Sequence, residues 1–348
     1  MDARPEWTPA VDTDWSTGTS PGPTSGDVEI AWASGHDPSR VRLAVTLPTF
    51  RRPAQVVETL RTVVAQTSPL PFAAVVMENE TDEAEGAAAA RTFLAEQDVP
   101  ATVVLANRRG NCAAYNAGWH VALTRYANLE WVLVIDDDEL ARPGWIGAML
   151  AAANATGADM VGAPQWPVFE PGSNRAMADH PVFRPPYGET GPVPILYSSG
   201  NVLVRAERLR RHGYPWLDEG FNFLGGGDSD FYAREKACGA TFAWCAQGGV
   251  DETIPARRTD LSWLNARAVR NGTISALIQK RAAKGGGDHA KRIAKSLALL
   301  AASPWRSLAL AARTGSPAHG LAHMNVALGR CLAEVGFANE QYRAADRN

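Results

Sequence analysis

From residue 41 onward, short apolar runs alternate with longer stretches whose apolar positions recur every three or four residues. The runs read as buried strands and the stretches as amphipathic helices. Residues 43–47 form the first strand, stopped by Pro48. A helix starts near Pro53, with Val56, Val57, Leu60, Val63 and Val64 on one stripe. Residues 72–77, 101–105 and 131–135 are further strands, separated by helices over 83–96 and 111–126. A helix over 144–153 and a strand over 159–163 follow. Later come strands over 199–204 and 241–245 and a helix over 231–237. Strands and helices in alternation make a parallel sheet with right-handed crossovers. The expected fold is α/β, doubly wound and mostly parallel, with helices on both faces.

The pattern changes at both ends. Residues 1–40 are rich in Pro, Gly, Ser, Thr and Asp, and read as an irregular extension. Trp7, Trp15 and Trp32 suggest that parts of it dock on the domain. Residues 164–197 carry Trp166, Phe169, Phe183, Pro185, Pro186 and Tyr187, a loop or irregular strands suited to shaping a pocket. From about residue 259 the chain is helical. Helices over 261–270 and 275–283 are separated by Asn271-Gly272, and Gly285-Gly286-Gly287 breaks the chain. Stretches 291–300 and 318–335 are amphipathic, with Pro304 and Pro317 as breaks. The division expected is an extension (1–40), a catalytic domain (41–283) and a helical C-terminal extension (284–348).

Composition adds boundaries. A chain of 348 residues with 45% hydrophobic and 20% charged residues is ordinary for a soluble globular protein. A net charge of −3 gives no sign of general nucleic-acid binding. Cys112, Cys238, Cys245 and Cys331 have no CxxC spacing and read as free thiols in a reducing cytosol, with a Cys238–Cys245 disulfide as the other reading. The acidic, Pro-rich start lacks the pattern of a signal peptide, and no apolar run is long enough to span a bilayer. The expected location is the cytoplasm.

The most informative chemistry is Asp136-Asp137-Asp138, at the end of the fourth strand. Three adjacent carboxylates repel one another unless a cation or hydrogen-bonded ligand sits among them. In open α/β sheets that edge is where ligands bind. A helix cap would need only one Asp, and the spaced acidic ladder of a calcium loop is absent. The run therefore points to a divalent cation and a phosphorylated substrate. A second feature is Gly225-Gly226-Gly227-Asp228-Ser229-Asp230, glycines that permit close backbone approach followed by two acids. A helix N-cap explains it equally well. A third is Glu252-x-x-Pro255-x-x-Arg258, followed by Trp263, Arg267 and Arg270. Arg267 and Arg270 share a helix face and suit diphosphate, though a solvated basic surface would look the same.

The ordered set resembles a family. It runs from Leu47-Pro48-Thr49-Phe50-Arg51-Arg52 through Met77-Glu78-Asn79 and Asn107 to Gly118. It continues with Asp136-Asp137-Asp138, Gly226-Gly227-Asp228-Ser229-Asp230 and Glu252 to Arg258 with Trp263. Over residues 41–283 this is similar to inverting glycosyltransferase family 2, and especially to bacterial enzymes of exopolysaccharide assembly. The resemblance implies a GT-A fold, a nucleotide-diphosphate sugar donor, usually UDP-linked, and Mg²⁺ or Mn²⁺. It implies that Pro48, Thr49 and Arg51 line the nucleotide pocket, that Glu78 contacts the base, and that Asp136 lies near the ribose. Asn107, Asn116 and Asp137 fall within the same donor set. Asp138 is the implied metal ligand and Asp228 the general base. Asn201, Gly226, Gly227, Asp230, Arg258 and Trp263 are implied at the sugar, diphosphate or acceptor. Two positions depart from the pattern. Gly227 stands where the family usually has Glu, and Tyr115 where many members have Arg; Arg108 or Arg109 is a candidate for the missing charge.

The implied reaction is transfer of a hexosyl group to a saccharide or lipid-linked acceptor hydroxyl. Two other readings stay open: a sugar-phosphate nucleotidyltransferase, and a non-catalytic carbohydrate-binding protein that kept the fold. Lys291, Arg292, Lys295 and Arg306 among Leu297, Leu299, Leu300, Trp305 and Leu308 also leave open a peripheral contact with an anionic inner membrane, against packing on the catalytic domain or a second subunit. Oligomeric state is open.

Overall fold

A computed structural model describes residues 22–24, 26–283 and 285–336. Its strands are β1 (Val28–Ala33), β2 (Leu43–Thr49), β3 (Phe72–Glu78), β4 (Ala101–Ala106), β5 (Trp131–Val134), β6 (Glu139–Ala141), β7 (Met160–Gly162), β8 (Gln165–Phe169), β9 (Gly191–Val193), β10 (Val202–Arg205), β11 (Phe242–Trp244) and β12 (Val250–Ile254). Its helices are α1 (Pro53–Val64), α2 (Glu85–Leu94), α3 (Asn111–Arg125), α4 (Trp145–Thr156), α5 (Ala206–His212), α6 (Gly227–Ala237), α7 (Leu261–Ala282), α8 (Gly286–Thr314) and α9 (Pro317–Glu334).

Nine strands form the main sheet in the order β1-β4-β3-β2-β5-β10-β7-β11-β9. The run β4-β3-β2-β5 is parallel, as is the pair β7-β11, while β1, β10 and β9 pair antiparallel with their neighbours. Side chains alternate across β2: Leu43, Val45 and Leu47 join one core, and Ala44 joins the other. Helices α1, α2 and α4 cover the first face, and α3 covers the second. The doubly wound, mostly parallel expectation holds. A smaller sheet, β6-β12-β8, stands beside the C-terminal edge.

Several expectations are corrected. β2 does not stop at Pro48; it continues to Thr49 beside β3. The Thr46 carbonyl accepts the Ile135 N–H, whereas the Thr49 carbonyl accepts the Asn79 N–H. Pro48 therefore faces the β5 side beyond that strand's end, where no ladder bond is lost. Residues 28–33, expected to be irregular, form edge strand β1, and Trp32 packs against the core. Trp7 and Trp15 lie outside the described residues. Asn271-Gly272 does not interrupt α7. A Cβ at Gly272 would lie 2.1 Å from the Val326 carbonyl oxygen, and one at Gly329 would lie 1.9 Å from that of Val269. These glycines let α7 and α9 cross backbone to backbone. Pro304 does not break α8 either. It leaves the Leu300 carbonyl without its helical N–H, and the Ser303 hydroxyl donates to that carbonyl at 2.8 Å instead. Pro317 does occupy the first turn of α9. The four cysteines are free thiols.

Candidate active site

The C-terminal edge of the sheet opens into a cleft of about 1360 Å³, walled by the ends of β2 and β5, the 182–201 segment, the start of α6 and one face of α7. Asp136, Asp137, Asp138 and Asp228 all line it.

The three aspartates point different ways because the turn after β5 closes on its own acid. The Asp136 N–H donates to the Glu139 carboxylate at 2.9 Å, and Glu139 is fully buried with the Gln165 amide on its other oxygen. The Asp136 carboxylate accepts from the Tyr115 hydroxyl at 2.6 Å. Asp137 accepts from Thr49 at 2.9 Å and Arg52 at 2.8 Å. Asp138 lies 3.2 Å from Arg52 and 3.6 Å from Arg258, and its carbonyl takes the Thr253 N–H, tying the run to β12. Burial, then the Asp138 charge, raises Asp136 to about 7. Burial also raises Asp137 and Glu252, with Arg52 and Arg258 respectively pulling them back down.

Among the described residues no group of three or more His, Cys, Asp or Glu side chains is arranged to hold a metal ion. The described residues alone thus offer no cage. Asp136 and Asp138, both on the cleft, would suit a Mg²⁺-type ion held by one or two carboxylates and completed by substrate phosphates. The residues fit such a shared ion.

The opposite wall starts at Gly225 and Gly226, with φ of 80° and 90°, values glycine adopts without strain. α6 follows, with Asp228 in its first turn. A Cβ at Gly226 would lie 2.5 Å from Ile274, and one at Gly227 would lie 2.4 Å from the Cys112 sulfur. These two glycines are thus demanded by helix packing, where close approach to a sugar had been expected. One oxygen of Asp228 accepts the Ser229 N–H at 2.7 Å, and the residue lines the cleft. Burial raises the Asp228 pKa, while the Ser229 N–H, Arg267 and Arg270 lower it. Arg267 lies over the Trp263 ring at 5.7 Å, and Arg258 is paired with Glu252 at 3.0 Å.

Pro48, Thr49, Asn201, Gly226, Gly227, Arg258 and Trp263 also line the cleft. Asn201 is completely buried and ties three segments, accepting from Trp145 and donating to the Pro164 and Gly248 carbonyls. Five expected residues lie off the cleft lining. Arg51, at φ 55°, is exposed, and its neighbour Arg52 enters instead. Glu78 is completely buried and accepts N–H bonds from Glu80 and Ala87, the latter in the first turn of α2; burial pushes it up to about 7. Asn107 donates to the Gly26 carbonyl beside β1. Asn116, also fully buried, holds Trp216 and Leu217 through three backbone hydrogen bonds. Asp230 pairs with Arg234 at 2.8 Å and Arg281 at 3.3 Å.

The cleft also contains Asn79 and Phe50, to which the sequence assigned no role of their own, and Arg109, one of the two candidates for the missing charge. Asn79 accepts the Gly110 N–H at 2.7 Å and donates to the Ala106 and Arg108 carbonyls. Phe50 lies beneath Arg109 at 5.4 Å, and both face the cleft. Arg108 is paired with Glu219. Strand alternation was the available signal for Asn79, since adjacent strand residues face opposite ways. Of the 164–197 aromatics and prolines, Phe183, Pro185 and Pro186 line the cleft, whereas Trp166 packs under Arg142 and Tyr187 on Trp244.

Residues 44–213 match the family model described as Glycosyl transferase family 2. This part of the chain is similar to a family 2 glycosyltransferase domain. It holds β2 and the aspartate run, while Asp228 lies beyond it. The chain is 28% identical over 264 residues to the succinoglycan biosynthesis protein ExoM of Rhizobium meliloti (strain 1021), across 73% of this chain and 79% of ExoM. In three dimensions it is similar to the mannosyltransferase PcManGT of Pyrobaculum calidifontis, solved with GDP-Man and Mn²⁺. That match has a TM-score of 0.52 and 18% identity, over 84% of this chain and 88% of that one. It is also similar to S. aureus TarS, with a TM-score of 0.45 and 16% identity over 68% of this chain, and spans 43% of that chain's length. The fold shared with PcManGT is the GT-A architecture expected of the glycosyltransferase domain.

Proposed function

We propose that the chain is an inverting hexosyltransferase that moves a sugar from a nucleotide-diphosphate donor, a UDP-sugar in the first instance, to an acceptor hydroxyl. One observation carries the reading: the aspartate run and Asp228, 90 residues apart in the chain, wall a single cleft. Its volume exceeds the roughly 300–1,000 Å³ of a single small-ligand pocket, as two substrates require. The proposed catalytic unit spans residues 41–283, with β1 on its edge and 284–348 as a helical extension.

In this reading Pro48, Thr49, Phe50 and Asn79 face the nucleotide. Asp136 and Asp138 would hold a Mg²⁺ or Mn²⁺ ion, which supplies positive charge to the departing diphosphate when bound. Arg52, Arg258, Arg267 and Arg270 surround the diphosphate with guanidinium groups suited to its oxygens. Asp228, on the cleft wall facing the aspartate run, takes the proton of the acceptor hydroxyl. The acceptor oxygen forms a bond to the anomeric carbon, and the bond to the diphosphate breaks with its electron pair leaving on that group. A single displacement inverts the anomeric centre. Trp263 and the Phe183 wall offer apolar faces to sugar rings.

We place the reaction in the cytoplasm, on a saccharide or lipid-linked glycan. The relation to a succinoglycan biosynthesis protein supports a polysaccharide product. The test is a panel of nucleotide sugars, with and without Mn²⁺, read by thermal shift and by nucleotide release on adding acceptors. Stabilisation by a sugar nucleotide, followed by release of nucleoside diphosphate and a product of opposite anomeric configuration, is expected. Release of pyrophosphate, or retention of configuration, would end this reading.

A further inference from the structure

Helix α8 has three distinct faces. Arg292, Ser296 and Ser303 are buried on the side that packs against α9, where Arg292 pairs with Glu334. A second face carries Ile293, Leu297, Trp305 and Leu308, spaced by four, eight and three residues, and all exposed. Trp305 is 77% exposed, Leu308 65% and Leu297 58%. Exposed Ala301 and Pro304 continue the same stripe. At a rise of about 1.5 Å per residue it runs for about 22 Å along the helix. The third face, on the far flank of the stripe, carries Lys291, Lys295, Arg306 and Arg313, all exposed.

Charge identifies the occupant. Asp288 is the only acid in α8, against five bases, although the whole chain carries a net −3. A surface tryptophan and leucines flanked by bases match an interface between water and acyl chains that bears negative headgroups. Two copies of α8 paired about a two-fold axis would bring bases against bases. No helix among the described residues is long and apolar enough to cross a membrane, so the helix lies on a surface.

We propose that α8 docks flat on an anionic lipid bilayer, with Ile293, Leu297, Trp305 and Leu308 inserted and Lys291, Lys295, Arg306 and Arg313 at the headgroups. α9, which packs on both α8 and α7, connects this surface to the wall of the cleft. The inference is independent of the reaction proposed above, because its test requires no sugar.

The test is flotation of the full chain with vesicles of equal phosphatidylcholine and phosphatidylglycerol, and with phosphatidylcholine alone. Two variants accompany it: Leu297→Glu/Trp305→Glu/Leu308→Glu, and Lys291→Gln/Lys295→Gln/Arg306→Gln/Arg313→Gln. The native chain floats with the anionic vesicles and not with the neutral ones, and releases at high salt. The first variant stays at the bottom of the gradient. The second binds roughly fivefold more weakly for each base removed. Circular dichroism and melting curves show whether each variant keeps its fold; if the first does not, the second and the salt dependence decide. Failure of the native chain to float, equal flotation with neutral vesicles, or native-like binding by both folded variants overturns the proposal. A dimer in light scattering that the first variant abolishes, without flotation, assigns the stripe to a second copy and overturns it too.

Discussion

The two acidic walls of the cleft are built differently, one from a run of three carboxylates and one from a single residue at a helix start. The carboxylates after β5 are held from several sides: Tyr115 on Asp136, Thr49 and Arg52 on Asp137, Arg52 and Arg258 beside Asp138. Asp228 stands by itself in the first turn of α6, where it accepts the Ser229 N–H and where burial raises its pKa against Arg267 and Arg270, which lower it. A cluster of like charges needs cations and donors to exist at all, and those same groups prepare it to receive an ion and a diphosphate. A base needs its carboxylate within reach of the substrate's proton. In the proposed reaction, the difference between the walls is the difference between holding charge and moving a proton.

Removing the base breaks the comparison hardest. Asp228→Asn is expected to lower transfer by about 10²–10⁴-fold while donor affinity in calorimetry stays native. Turnover within a few-fold of native would take the proton from some other group. Within the cluster, Asp138→Ala should remove most transfer and most of the response to Mn²⁺, as should a chelator. Asp137→Ala takes the acceptor from Thr49 and leaves Arg52 with Asp138 alone, and should cost about 1–3 kcal/mol in denaturant unfolding. If the two variants behave alike, the division of labour inside the run is wrong.

Smaller effects sharpen the picture. Gly227→Ala drives a methyl into the Cys112 sulfur and should destabilise by about 1–3 kcal/mol. In a double-mutant cycle, Cys112→Ala should recover part of that loss; strict additivity would show that the sulfur is not the obstacle. The smallest effect is on pH. Burial raises the Asp228 pKa above the ordinary carboxylate range, and the base acts only when deprotonated. The acid limb of kcat/KM therefore lies above that of an exposed carboxylate, with activity lost as pH falls through it. Restoring solvent near the group, as in Ile274→Ala, should move that limb to lower pH.

The candidate site was legible where a residue's own chemistry decides its place. An aspartate run after an apolar strand has to sit at the sheet edge, and it does. It was illegible where adjacent residues compete. Arg51 and Arg52 differ by one position, and the φ of 55° at Arg51 sends its neighbour into the cleft. Glu78 and Asn79 differ by one position at a strand end, and the acid turned away from the cleft to accept N–H bonds ahead of and within α2. Gly86 makes room for it, because a Cβ there would lie 2.3 Å from its carboxylate. Asn116 was placed in the donor set by the family resemblance alone. A buried amide must satisfy its donors and acceptors wherever it lies, and here it does so on the backbone of 216–217.

By itself the sequence determined the α/β alternation, the strand order's parallel centre and the acidic edge, because hydrophobic period and charge repulsion are local properties of the chain. Only the tertiary structure decided which of two neighbouring residues faces the cleft, why Gly227 admits no side chain, and how α7 runs unbroken past Gly272. Each of those depends on an atom contributed by a distant segment: the Cys112 sulfur, the Val326 carbonyl, the N–H of Ala87. Contacts of that kind are absent from any window of sequence, and they exist only once the chain has packed.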